Sequence, residues 1–91
     1  MLKYLLTSLC LLIATSAYSL EPPKRYDYKF PGKLEVYYSR KAVRDYCYGS
    51  IACAYLSFDK KRCIIYMQGK NSHIFRHENA HCNGWPWYHP R

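Results

Sequence analysis

Two histidines four positions apart with a carboxylate between them, His77-Glu78-Asn79-Ala80-His81, form the stretch of this chain best suited to chemistry. In a helix the two imidazoles stand one turn apart on the same face, close enough to share a metal ion. Glu78, three residues before His81, borders that face. Its carboxylate can then reach a water on the metal without being a ligand, which is the general-base arrangement of a zinc hydrolase. The pattern predicts zinc as cofactor, His77 and His81 as ligands and Glu78 as the catalytic base.

These side chains need a helix and a support. Gly69-Lys70-Asn71-Ser72 breaks the preceding segment and offers Asn71 or Ser72 as an N-cap, Ile74 shares the motif's face, and Gly84 suits the left-handed position that ends a helix. Pro86 makes continuation beyond it unfavourable. Upstream, Leu34, Val36 and Tyr38 alternate with Lys33, Glu35 and Tyr37, predicting a first strand over 33–38. Ser39 can cap a short helix over 40–48 with Val43 and Cys47 on one stripe, ended by Gly49-Ser50. Residues 51–58 and 62–68 read as a hairpin with the charged tip Asp59-Lys60-Lys61. Cys63-Ile-Ile-Tyr-Met67, the most apolar run outside the leader, reads as a central strand buried on both faces. The expected fold is α+β, a β-α-β-β-α domain with a three-stranded sheet and a C-terminal active-site helix.

With that order around it, His77-Glu78-x-x-His81-x-x-Gly84 resembles the zincin superfamily of metallopeptidases, over roughly residues 33–91. The resemblance implies two zinc-binding histidines, a glutamate that polarises the attacking water, and an edge strand that pairs with an extended peptide or protein substrate. The spacing to Gly84 is similar to that of the metzincin branch, in which a third histidine stands three residues after the glycine. That position is Trp87 here, and an indole cannot ligate zinc. His89 lies two residues further on. Five residues of extended chain from Gly84 span roughly 16 Å, ample to return its ring to the helix and complete a three-histidine site with one open position. His73, one turn before His77, is the rival third ligand. A straight helix makes three consecutive ligands awkward for a tetrahedral ion, which favours His89. Tyr66 and Tyr88, nearest the motif in sequence, are candidate donors to a transition-state oxyanion.

Length, charge and cysteines set the bounds. Residues 1–19 have a basic start at Lys3, an apolar run over 4–13, and Ala17 and Ser19 placed as at a cleavage site, so they read as a signal peptide with Cys10 inside the discarded part. The apolar run is short for a spanning helix, so no transmembrane segment is expected in the mature chain. Removing these residues, whose only charge is Lys3, takes the chain from 91 residues and +8 to 72 residues and +7. Residues 20–32, with Pro22, Pro23 and Pro31 among tyrosines and charges, read as an arm before a domain at 33–91. A chain this small commonly needs disulfides, a metal or a partner. Cys47, Cys53, Cys63 and Cys82 predict two disulfides in an oxidising compartment, periplasmic or extracellular. Of the three connectivities, Cys47 with Cys53 and Cys63 with Cys82 is favoured, because the hairpin register does not place Cys53 opposite Cys63.

The expected function is an exported zinc-dependent hydrolase, a minimal metallopeptidase whose groove is shallow or completed by a partner. The alternative from another class is a basic, aromatic-rich binding protein of the cell envelope that takes an acidic polymer, with zinc structural or absent. No run of five like charges occurs and there is no specific nucleic-acid signal. Oligomeric state is not encoded in these patterns.

Overall fold

Cys63-Ile-Ile-Tyr-Met67 takes the centre of a three-stranded mixed sheet in the computed structural model, which describes residues 21–91. The leader expected over residues 1–19, Cys10 included, lies outside the described residues. The elements run β1 (Lys33–Tyr38), α1 (Arg40–Tyr46), β2 (Ala52–Leu56), β3 (Arg62–Met67) and α2 (Ser72–Cys82), with a 3-10 turn at Lys24–Tyr26 before them. The strand order is β1-β3-β2, with β1 parallel to β3 and β2 antiparallel to it. The chain is α+β with two disulfides, in the β-α-β-β-α order that the pattern predicts.

Register sorts the side chains onto two faces. Val36 and Ala54 flank Ile65 while Leu34 and Leu56 flank Cys63, so these residues share the face on which Ile65, Met67 and Cys63 are buried with Phe30, Ala52 and Cys82. Ile74 and Phe75 of α2 close this core from above. The opposite face carries Tyr37, Tyr55 and Tyr66, with the Tyr66 ring stacked on Tyr37 and on Tyr46 of α1 at 5.7 and 4.9 Å. Ile64 and Tyr66 are only half-buried there, so β3 is covered fully on one face rather than on both. The short α1 and four tyrosine rings are too little material to close the second face.

Each helix is tied to the sheet by one disulfide. Cys47, at the end of α1, joins Cys53 of β2, and Cys82, the last residue of α2, joins Cys63 of β3. Cys53 is paired in register with Tyr66, not with Cys63. The favoured connectivity is therefore the one formed. The first helix ends at Tyr46, two residues short of the sequence expectation, because Tyr48 and Gly49 both adopt positive φ, 49° and 89°.

The segment read as an arm lies along α2. Asn79 donates to the Tyr28 carbonyl at 2.7 Å, Asn83 donates to the Tyr26 and Tyr28 carbonyls, and Arg76 pairs with Asp27 and Glu21. Phe30 continues into the core. Gly32 has no side chain because there is no room for one, since a Cβ there would stand 2.2 Å from the Lys61 carbonyl oxygen.

Candidate metal centre

The helix carrying the motif is fixed at both ends by its own sequence. Asn71 accepts from the backbone N–H groups of His73 and Ile74, so α2 starts at Ser72. At the other end Gly84 adopts φ 100°, its N–H bonds to the His81 carbonyl, and the Trp85 N–H bonds to the Ala80 carbonyl. That pair of bonds is a Schellman stop. It reverses the chain and sends Trp85 back beneath the last turn of the helix, where its side chain is 2% exposed.

A second reversal follows at once. The His89 N–H bonds to the Pro86 carbonyl at 2.9 Å, closing a turn whose corners are Trp87 and Tyr88, and His89 itself sits at φ 57°. Trp87, at the position where the metzincin-like spacing calls for a ligand, projects outward and is 82% exposed. His89 returns to the helix. The Nε2 atoms of His77, His81 and His89 converge, with separations of 3.2 Å (His77 to His81), 3.1 Å (His77 to His89) and 3.1 Å (His81 to His89). His73 stands exposed and takes no part in this cluster. Cys82 is consumed in its disulfide.

Protonation follows from the partners. His81 Nδ1 lies 2.7 Å from the Trp85 carbonyl oxygen, which can only accept, so Nδ1 carries the proton. A neutral His81 therefore presents a bare Nε2 lone pair to the centre of the triangle. Burial depresses the pKa of His81 below that of an ordinary imidazole, the nearby His89 adds to this, and the Trp85 carbonyl opposes it. Burial likewise lowers His89. Both rings thus lose their charge at a lower pH than a free histidine does.

The residues fit a zinc ion. Nitrogens bound to tetrahedral zinc at about 2.0–2.1 Å stand roughly 3.3 Å apart, close to the spacing found, and three imidazoles leave a fourth position open. These three residues are the group of potential metal ligands found among the described residues.

Glu78 is 7% exposed, and burial alone raises its pKa from the ordinary 4.5 to about 7. It lines a groove of about 500 Å³ together with the three histidines. The far wall of the groove is β2, an edge strand, with Ala52, Ala54 and Leu56 facing Ile74 of α2 and with Ile51 and Trp87 at the exposed rim. Neither Tyr66 nor Tyr88 lines it. Tyr66 is directed to the other face of the sheet, and Tyr88 stands in the exposed turn with its ring against Trp87.

Trp85 is the site residue that sequence reasoning missed. The signal was present, because the residue after a C′ glycine is commonly hydrophobic and packs back onto the last helical turn. No family model matches this chain, and neither curated proteins nor solved structures give a match. Among the described residues, no helix is long and apolar enough to cross a membrane.

Proposed function

We propose that the chain is an exported, zinc-dependent hydrolase that cleaves amide bonds in extended peptides, with His77, His81 and His89 as metal ligands and Glu78 as general base. The observation that carries the reading is the convergence of three Nε2 atoms within 3.2 Å, one of them forced to be a lone pair by the Trp85 carbonyl. Three imidazole nitrogens brought this close repel unless a proton or a cation stands among them, and a metal ion satisfies all three at once. Two disulfides in so small a chain fit an oxidising compartment and therefore export.

A bound zinc would supply Lewis acidity and lower the pKa of a coordinated water towards 7. Glu78, buried beside the ligands, accepts a proton from the attacking water on a carboxylate oxygen and returns it to the departing amine nitrogen. Burial raises its pKa to about 7 in the metal-free chain, and the charge of a bound zinc would lower it, which favours the carboxylate form that takes the proton. The β2 edge can hold an extended peptide through main-chain hydrogen bonds, while Ala54, Leu56 and Ile74 give apolar contact to its side chains.

The test is Glu78→Gln in zinc-loaded protein. It should keep one equivalent of zinc and lose roughly 10²- to 10⁴-fold in peptide hydrolysis. Unchanged hydrolysis with the zinc retained would sink the catalytic reading, and no zinc in purified oxidised wild type would sink the metal centre itself.

A further inference from the structure

Trp85 touches all three histidines and both of the turns that bring them together. Its ring stacks on His81 with centroids 5.0 Å apart and planes 14° from parallel, and it meets His77 and His89 edge-on at 5.0 and 4.9 Å. Its carbonyl oxygen accepts a hydrogen bond from the His81 Nδ1–H. Its indole Nε1–H donates to the Pro90 carbonyl at 2.7 Å, one residue past His89. The segment between, Pro86 to His89, makes a single internal turn bond, and both corners of that turn are exposed.

We infer that Trp85 is the positioning residue of the metal centre: its indole N–H clamps the tail that delivers His89, while its carbonyl fixes the tautomer of His81. This rests on the reading of the three histidines as metal ligands. His77 and His81 are set by the helix, four residues apart, and need no further help to share an ion. His89 sits beyond the helix at positive φ, on a short tail whose own contacts are few. A buried donor that cannot accept, such as an indole N–H, loses its only partner if the tail swings away, so the clamp holds the open-chain ligand in the geometry the helix pair requires. An outer-shell partner of this kind commonly changes metal affinity 10- to 100-fold.

The probe is cobalt(II), titrated into metal-free, disulfide-intact protein and followed by visible absorption, with folding checked by circular dichroism. Trp85→Phe keeps a buried aromatic ring and removes the N–H. It should bind cobalt 10- to 100-fold more weakly, with the weaker absorption of a centre that has lost a tightly held nitrogen. Adding His89→Ala to Trp85→Phe should then cost much less than His89→Ala costs in wild type, because both changes remove the same ligand. Should Trp85→Phe fail to fold, removal of residues 90–91 deletes the acceptor carbonyl with Trp85 intact, and Arg91→Ala controls for the Arg91 bond to the Glu21 carbonyl. The truncation should weaken cobalt binding, and Arg91→Ala should not.

Hydrogen exchange of the indole proton in metal-free wild type gives an independent readout, with slow exchange expected. Unchanged cobalt affinity in folded Trp85→Phe, additive effects of Trp85→Phe and His89→Ala, or an indole proton exchanging as fast as in free tryptophan would each overturn the positioning role. Failure of wild type to bind cobalt or zinc at all would instead bring down the metal reading on which it stands. A metal-binding wild type with a protected indole proton and a weakened Trp85→Phe supports both.

Discussion

Glu78 and the histidines respond to pH with opposite signs, which makes their burial measurable without any substrate. In the folded chain Glu78 titrates at about 7 against an ordinary 4.5, so the folded state keeps a proton that the unfolded state has released. Its contribution to stability is full below about 4.5 and is lost as pH rises through about 7. Metal-free wild type should therefore lose stability relative to Glu78→Gln across that window, read as the difference in urea midpoints at pH 4.5 and 8. His81 and His89 are lowered instead, so their contribution is present above the ordinary 6.5 and is lost as pH falls through their folded values. Comparison with Glu78→Gln separates the two, because the histidine terms are common to both proteins. A difference that stays flat from pH 4.5 to 8 would mean that Glu78 is hydrated in solution.

The helices and strands were legible from sequence because each has local punctuation. Asn71 and Ser39 cap the two helices through their side chains, Gly84 ends α2, and the alternation in 33–38 sets the face of β1. What lay beyond sequence was long-range: that β1 runs parallel to β3, that the tyrosines share one face, and that residues 21–32 lie along α2. No local pattern encodes those neighbours. The third histidine was an intermediate case: chain length allowed His89 to return, and the Schellman stop, the Pro86–His89 turn and the Trp85 indole bond to Pro90 bring it back. Gly32 had no distinguishing mark in sequence, yet its missing side chain lets the entry to β1 pass against the hairpin. Gly32→Ala should destabilise the protein by about 1–3 kcal/mol, measured by chemical denaturation, because the obstructing atom is backbone and cannot rotate aside. A neutral outcome would mean that residues 30–32 sit further from Lys61 than the contact implies.

Across the whole molecule the two disulfides divide their work by face. Cys63–Cys82 closes a separation of 19 residues and anchors the end of α2 next to His81, whereas Cys47–Cys53 closes 6 and holds α1 to the tyrosine face. Chain entropy assigns about 3 kcal/mol to the longer loop and about 2 to the shorter. Replacing Cys63 and Cys82 by serine should lower stability by the larger amount and weaken metal binding as well. Replacing Cys47 and Cys53 should lower stability alone, checked by denaturation and by cobalt titration of each pair. Equal loss of metal affinity in both would show that the sheet, rather than the anchored helix end, governs the centre. The three converging histidines are confined to one continuous stretch, with His77 and His89 only 12 positions apart, while Lys33 must find Arg62 across all of α1 and β2 for the parallel pair to form. Short loops close at little entropic cost, and distant parallel pairings form slowly. The three histidines thus lie in the chain's most local segment and the parallel strand pair in its least local one, so a metal ion present during refolding should meet the histidines before β1 has reached β3.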